Sequence, residues 1–223
     1  TGATSGLGKS IALAFLKEGA KVVANGKNPV RMQELIDEVT ELGLQDNLRT
    51  YLGNVTSNED MEGAVRHCVE EFGTMNVLSH NAGIIDDFSP VDEMTDEMWD
   101  KQIAVNLTGT MRVCRAALRY FVPNNIEASI VIITSNAAFE SSTGGPAYTA
   151  SKAGANALMK SIAYEYKRVG IRCNSICPGP FLTNISDSAP VFNPRGSQLH
   201  QATGYNAHAW EWTGGEIGFP DEH

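Results

Sequence analysis

The positions of apolar and polar residues follow two alternating patterns along most of the chain. Short strand-like runs, several of them nearly all apolar, cover residues 20–25, 47–52, 75–80, 129–134 and 170–176. Such runs are typical of strands that are buried on both faces of a sheet. Between the runs lie segments with the period of a helix, at residues 6–18, 29–42, 58–72, 95–121 and 147–168. The pattern therefore predicts strands and helices in strict alternation.

This alternation predicts an α/β fold, because each pair of parallel strands needs a crossover that is usually a helix. We expect one domain over residues 1–223, a doubly wound, Rossmann-like parallel sheet with helices on both faces. The pattern contains neither an apolar run before the first helix nor one that closes the far end. We therefore expect the first and last strands to be missing, the natural protein to be longer at both ends, and this chain to fold poorly alone.

The last part of the chain differs from the rest in composition and periodicity. Residues 184–223 combine Gly, Pro, Asn and His with Phe192, Tyr205, Trp210, Trp212 and Phe219, and no helical period is visible. We expect this segment either to cover the substrate or to form an irregular end.

Composition and charge exclude several function classes. There are 17 basic and 26 acidic residues, which gives a net charge of −9 and disfavours a nucleic-acid partner. No apolar run approaches the roughly 18 residues of a membrane span. The 4 cysteines do not form a disulfide scaffold and suit a reducing compartment, so we predict a cytoplasmic protein. Their spacing and the scattered histidines indicate no metal site.

The first ten residues form a candidate phosphate site. Gly2, Gly6 and Gly8 precede an apolar helical period and enclose Thr4, Ser5 and Leu7. Glycines at the start of a helix let the backbone approach a phosphate, which the N–H groups of the helix terminus can then bind.

A second interpretation of the same residues is a P-loop. Residues 3–10 nearly match the Walker A pattern, in which Lys9 would bind phosphate and Ser10 would bind Mg²⁺. A P-loop enzyme also needs an apolar strand that ends in Asp. The candidate strands at 75–80 and 129–134 lead instead into Asn81 and Ser135, which weakens this alternative.

Ser135, Tyr148 and Lys152 form the candidate catalytic group. Ser135 follows an apolar strand, at the sheet edge where ligands bind in open α/β folds. Tyr148 and Lys152 are four residues apart, so a helix places them on one face. An ammonium group stabilises phenolate, and we therefore expect Lys152 to lower the pKa of Tyr148 and make it a general acid/base.

With these motifs together, the chain resembles the short-chain dehydrogenase/reductase family over residues 1 to about 183. The matching positions are Thr1, Gly2, Gly6, Gly8, Asn81-Ala82-Gly83, Asn106, Ser135, Tyr148, Lys152, Pro178-Gly179 and Thr183. Within the family it looks most like the 3-oxoacyl-carrier-protein reductase and small-alcohol dehydrogenase branch. The resemblance implies hydride transfer between a nicotinamide and a small carbonyl compound or secondary alcohol, and a homo-oligomer.

The resemblance also implies roles for individual residues. Tyr148 would exchange the hydroxyl proton, Ser135 would polarise the substrate oxygen and Asn106 would hold a water in the proton relay. Lys152 would bind the nicotinamide ribose beside Tyr148. The remaining cofactor contacts would come from Asn81, Ala82 and Gly83 near the adenosine, from Asn54 and Val55 near the adenine, and from Pro178, Gly179 and Thr183 near the nicotinamide.

The identity of the cofactor depends on the end of the first strand in the pattern. By resemblance, Gly26 occupies the position of the acidic residue that binds the ribose diol in NAD-dependent relatives, and Lys27 follows it. A cation there can pair with a 2′-phosphate, so we predict NADP, with NAD as the alternative.

His80, where a second Asn is common in the family, is interpreted as a structural residue. A nucleotide-binding protein without turnover remains the other hypothesis.

Overall fold

The computed structural model describes residues 1–140, 143–179, 183–189 and 191–202. The strands are β1 (Val22–Gly26), β2 (Leu48–Leu52), β3 (Val77–His80), β4 (Ala128–Ile133) and β5 (Ile171–Ile176). The helices are α1 (Gly6–Lys17), α2 (Pro29–Glu41), α3 (Asn58–Phe72), α4 (Asp96–Gln102), α5 (Thr110–Phe121), α6 (Pro146–Tyr166) and α7 (Pro194–Ala202). The alternation that the sequence predicts is confirmed.

All strand pairs in the described chain are parallel, but they form two separate blocks. In the first block β1 pairs with β2, with Val22 opposite Leu48. In the second block the order is β3-β4-β5, with β4 paired along both edges. Helices complete each crossover, as parallel connections require.

Residues 1–3 lie between the two blocks. The Thr1 nitrogen donates to the Ser79 carbonyl at 2.7 Å, and the Ala3 nitrogen donates to the Asn25 carbonyl at 3.0 Å. Beyond them, a slot of about 440 Å³ separates β1 from β3 and is lined by apolar side chains of α1 and α3. Within the described residues no strand fills this slot.

The helix that the sequence predicts over residues 95–121 is not continuous. A π-helical turn, Ile103–Gly109, separates α4 from α5. The side chain of Thr110 donates to the carbonyl of Asn106 at 2.6 Å, and the Asn106 amide is held by the backbone of Ile84. These side-chain bonds compete with the regular helical bonds, and such widened turns are frequent at functional sites.

The segment from residue 184, expected either to cover the substrate or to be irregular, contains two short helical elements in its described part. Asn184–Ser188 forms a 3₁₀ turn, and α7 follows. The Asn193 side chain accepts from the Gly196 nitrogen at 2.8 Å, and proline occupies the first helical position, so α7 has a regular start despite its weak periodicity. The aromatic residues Tyr205, Trp210, Trp212 and Phe219 lie outside the described residues.

Two apolar cores support the blocks. The larger core packs α3, α5 and α6 against β3–β5 and includes the fully buried Phe121 and Ile130. The smaller core packs α1 and α2 against β1–β2 around Leu16 and Leu35. None of the helices in the described parts of the chain combines the length and apolar character needed to cross a bilayer.

Candidate active site

A cleft of about 520 Å³ opens at the carboxyl ends of the strands, where ligands bind in open α/β sheets. Most of the site residues predicted from the sequence line this cleft. They are Gly2, Thr4, Ser5, Gly6, Leu7, Lys27, Asn54, Val55, Asn81, Ala82, Gly83, Ser135, Tyr148, Lys152, Pro178, Gly179 and Thr183. Gly8 and Asn106 lie behind its wall. The structure therefore brings together residues from nearly every crossover.

The glycine loop needs its glycines for two physical reasons. Gly2 and Gly6 adopt left-handed conformations with φ of +64° and +51°, which side chains disfavour. A Cβ atom on Gly8 would collide with the Gly2 carbonyl oxygen. The Ser5 side chain makes no capping bond to α1, so the loop presents backbone N–H groups to the cleft, as a phosphate site requires.

The P-loop alternative is contradicted by the positions of Lys9 and Ser10. Lys9 forms an ion pair with Glu38 of α2, and the Ser10 hydroxyl donates to the Gly6 carbonyl at 3.3 Å. Neither side chain lines the cleft. In the described residues no three His, Cys, Asp or Glu side chains are grouped to hold a metal ion.

Ser135, Tyr148 and Lys152 share one wall of the cleft, and each is almost completely buried. Ser135 follows β4, and its hydroxyl accepts from the Ala137 nitrogen at 3.1 Å. Tyr148 and Lys152 lie one turn apart on α6, with the Lys152 Nζ 5.6 Å from the centre of the Tyr148 ring. That nitrogen donates to the Ile133 carbonyl at 3.2 Å.

The pKa of Tyr148 does not follow the prediction from the sequence. Burial raises it above its ordinary value, although the hydrogen bond with Ser135 acts in the opposite direction. Burial also lowers the pKa of Lys152 to about 8. The physical reason is desolvation, which disfavours both the phenolate and the ammonium.

Asn106 supports the cleft from behind. Its Oδ1 accepts from the Ile84 nitrogen at 2.9 Å, and its Nδ2 donates to the Ile84 carbonyl at 2.9 Å. The same Nδ2 lies 3.0 Å from the Ser151 hydroxyl, which in turn donates to the Tyr148 carbonyl at 2.7 Å. Asn106 thus links the π-helical turn, the loop after β3 and α6. Its predicted role in holding a water stays a prediction.

His80 is a structural residue, as the sequence predicts. Its ring nitrogens lie 2.7 Å from the Thr1 hydroxyl and 2.9 Å from the Thr110 hydroxyl. Burial holds its pKa well below the usual range, so the ring is neutral. Asn81, Ala82 and Gly83 follow His80 directly. A Cβ atom on Gly83 would stand 3.1 Å from the Lys152 nitrogen, so the glycine keeps that approach open.

The far end of the cleft contains cations that follow β1. Lys27 lines the cleft, as predicted, and Arg31 in the first turn of α2 lines it as well. Arg31 pairs with Asp187, in the 3₁₀ turn that follows β5, at 2.7 Å. Sequence reasoning missed Arg31, although its position four residues after Lys27 on a predicted helix start was a usable signal. It also missed Asp86, which no motif marks.

Asn54 lines the cleft as predicted, but its side-chain oxygen already accepts one hydrogen bond within the protein. The Asn54 Oδ1 accepts from the Thr56 nitrogen at 3.1 Å. An amide oxygen has two lone pairs, so a second bond to a ligand is compatible with this arrangement.

Comparison with known proteins places these features in a family. The family model described as short chain dehydrogenase matches residues 1–191. 3beta-hydroxysteroid dehydrogenase 2 of Eggerthella lenta is 38% identical over 205 residues, 92% of this chain and 78% of that protein. Short-chain dehydrogenase/reductase cdmF of Talaromyces verruculosus is 35% identical over 186 residues, 83% of this chain and 69% of that protein.

Solved structures agree with the fold described above. A short chain dehydrogenase from Mycobacterium avium has a TM-score of 0.75 and 32% identity over 80% of this chain and 66% of that one. A variant of actinorhodin polyketide ketoreductase with NADPH has a TM-score of 0.77 and 28% identity over 95% of this chain and 76% of that one. The predicted Rossmann-like fold is confirmed, and the chain belongs to the short chain dehydrogenase family.

Proposed function

We propose that this protein is an NADP-dependent oxidoreductase that interconverts a secondary alcohol and a ketone, with Tyr148 as the general acid/base. The observation that carries the proposal is the placement of Ser135, Tyr148 and Lys152 on one buried wall of the cleft that also contains the glycine loop. Family membership supports the reaction class, because relatives are named dehydrogenases of hydroxyl groups.

The cleft fits a dinucleotide at its phosphate end. Cβ atoms on Gly2 and Gly6 would meet Ala82 and Thr183, so the glycines allow the tight loop that precedes the uncapped start of α1. The Thr143 hydroxyl also lines this cleft, where it is buried and has no hydrogen-bond partner among the described residues. A nicotinamide dinucleotide bound there supplies the hydride donor or acceptor.

The protein's own residues handle the proton. In reduction, the Tyr148 hydroxyl donates its proton to the carbonyl oxygen as hydride reaches the carbon, and in oxidation it accepts that proton. The Ser135 hydroxyl donates a hydrogen bond to the same oxygen. Because burial raises the pKa of Tyr148, the phenol is protonated at neutral pH, which favours reduction there and oxidation at higher pH.

The preference for NADP rests on Lys27 and Gly26. Lys27 is exposed at the cleft, where its charge can meet a 2′-phosphate. Gly26 has no carboxylate to bind a ribose diol, and a Cβ atom there would lie 2.6 Å from the Thr4 side chain, which would have to shift to admit one.

The central test follows NADPH absorbance at 340 nm with a panel of carbonyl compounds that includes 3-oxoacyl thioesters and 3-ketosteroids. Tyr148→Phe is expected to lower kcat by about 10²–10⁴-fold while NADPH still binds. Tyr164→Phe is the matched control, because Tyr164 lies on the same helix and is 74% exposed. Wild-type turnover in Tyr148→Phe overturns the acid/base role, and NADPH binding without turnover of any compound supports the non-catalytic hypothesis.

Cofactor preference is tested separately. Lys27→Ala is expected to weaken NADPH binding about 5- to 20-fold and to change NADH binding less than twofold, because only NADPH carries the extra phosphate. Lys17→Ala, at the end of α1 and outside the cleft, is the control. An unchanged ratio of the two dissociation constants would discard the proposed role of Lys27.

A further inference from the structure

Asp86 is a completely buried carboxylate in the loop that follows β3. Its Oδ1 accepts from the Gly145 nitrogen at 2.8 Å, and its Oδ2 accepts from the Tyr148 nitrogen at 2.8 Å. The Phe88 nitrogen contributes a longer bond of 3.4 Å to Oδ1. A side chain from one element therefore binds the start of another, the helix α6 that carries Tyr148 and Lys152.

The start of α6 needs such a partner. The first N–H groups of a helix have no intrahelical acceptor, and a side chain at the N-cap usually satisfies one of them. Here the N-cap is Gly145, which has no side chain, and Pro146 has no N–H group. Asp86 takes the place of the local cap, and its negative charge also suits the positive end of the helix.

Two glycines allow the close approach of these elements. A Cβ atom on Gly145 would lie 2.6 Å from both Asp86 carboxylate oxygens. A Cβ atom on Gly144 would collide with the ring of Tyr148. The Tyr148 ring therefore packs against the backbone of Gly144, and its own nitrogen is bound to Asp86.

We propose that Asp86 is a positioning residue, whose carboxylate ties the first turn of α6 to the loop after β3 and so fixes the Tyr148 hydroxyl opposite Ser135. This inference rests on the function proposed above. Asp86 does not touch the reacting atoms; it acts through the backbone of Gly145 and Tyr148.

The charge on Asp86 has a second effect on the same tyrosine. Burial is the main cause that raises the pKa of Tyr148, the hydrogen bond with Ser135 lowers it, and the Asp86 charge raises it by a smaller amount. Lys152 faces the ring from the same helix. The charge of Lys152 helps to lower the pKa of the buried His80, and Cys177 acts on Lys152 against the effect of burial. Burial raises the pKa of the Asp86 carboxyl, its backbone hydrogen bonds lower it, and the neighbouring Asp87 raises it by a smaller amount. Removal of the Asp86 charge is therefore expected to lower the pKa of Tyr148.

The test compares Asp86→Asn with Asp87→Asn in the full chain, by NADPH oxidation with a carbonyl substrate that the wild type reduces. An amide replaces one acceptor with a donor that faces a backbone N–H group. We expect kcat to fall about 10- to 100-fold, NADPH affinity to stay within threefold, and the alkaline limb of the kcat profile to move to lower pH by about half a unit or more. Asp87→Asn should leave kcat near the wild-type value and move the alkaline limb much less, because within the described residues the Asp87 side chain accepts from the Ser89 nitrogen at 3.0 Å and not from α6.

Gly145→Ala separates position from charge, and it decides the question if Asp86→Asn does not fold. The added methyl group pushes the carboxylate away without removing its charge, so kcat should fall about 3- to 30-fold while the alkaline limb stays in place. The inference is overturned if Asp86→Asn retains the wild-type kcat and pH limb, or if Gly145→Ala retains the wild-type kcat, while Tyr148→Phe is inactive. If Tyr148→Phe is itself fully active, the proposed function fails instead.

Discussion

The two blocks of the sheet differ in how completely their strands are paired and supported. β4 has hydrogen-bonded neighbours along both edges and packs the core around Phe121. β1 has a neighbouring strand on one edge, and within the described residues its other edge faces the slot of about 440 Å³. The proposed catalytic residues lie beside the well-paired block β3–β5, whereas Lys27 comes directly after β1 in the other block.

This difference has a physical reason. A buried carboxylate, a buried ammonium and a buried phenol all cost free energy unless their partners are fixed. Asp86, Tyr148 and Lys152 therefore need the rigid surroundings that β3–β5 and α5 provide. Lys27 is exposed, and its proposed partner, the 2′-phosphate of the cofactor, lies in solvent. The position of Lys27 therefore depends less on a completely paired sheet.

Amide exchange should reveal the largest contrast between the blocks. Asn25 and Ser79 bind residues 1–3 through their carbonyls, so by alternation Val23 and Val77 direct their N–H groups towards the slot. We expect these two amides to exchange at least about 100-fold faster than those of Ile130 and Ile132 in β4. Equal protection measured by NMR would mean that another group pairs with the slot edges.

Substitutions in the two cores should separate the blocks energetically. Phe121→Ala is expected to lower the free energy of unfolding by about 3–5 kcal/mol, and it should increase exchange in every strand. Leu35→Ala, in the smaller core, should increase exchange mainly in β1 and β2 and leave β4 near the wild type. Equal acceleration of β4 by both substitutions would show that the blocks open as one unit.

The order of strands and helices and the position of the cleft could be predicted from the sequence. Apolar runs and period-3.6 patterns are set by burial, so the order of strands and helices could be predicted directly from them. The spacings of the glycines and of Tyr148 and Lys152 indicated the position of the cleft. The break at Ile103–Gly109 could not be predicted, because it depends on the contact between Asn106 and the distant backbone of Ile84.

The electrostatics of the site were harder to predict. Spacing showed that Tyr148 and Lys152 share a helix face, but the pKa of each depends on burial by the surrounding loops, which no local pattern encodes. Asp86 was missed for a related reason. Its partners, Gly145 and Tyr148, are distant in the sequence and are contacted through backbone nitrogens, which leave no trace in residue type.

Lys152 is predicted to reduce stability within the well-supported block. Because its folded pKa is about 8 and its ordinary value is 10.5, burial disfavours its charged form. Below pH 8 this penalty is complete, and wild-type stability should rise from pH 8 to 10.5 as the folded state loses the proton first. Lys152→Met is therefore expected to gain on the order of 1–3 kcal/mol below pH 8, less at higher pH, while turnover is lost.

The control for this substitution is Lys160→Met, because Lys160 is exposed on the same helix. Urea unfolding at pH 7 and pH 10 should show a change within about 0.5 kcal/mol for the control at both values. A loss of stability in Lys152→Met at pH 7 would mean that the bond to the Ile133 carbonyl outweighs the desolvation of the ammonium.

The smallest effect is expected at the ion pair that joins the two blocks across the cleft. Arg31 of α2 and Asp187 after β5 are 2.7 Å apart, but their side chains are 35% and 56% exposed. Water screens such a pair, so a double-mutant cycle with Arg31→Ala and Asp187→Ala should give a coupling of about 0.2–1 kcal/mol that falls in high salt. A coupling well above 1 kcal/mol that persists in high salt would mean that this contact, and not only residues 1–3, holds the poorly paired block against the rest of the fold.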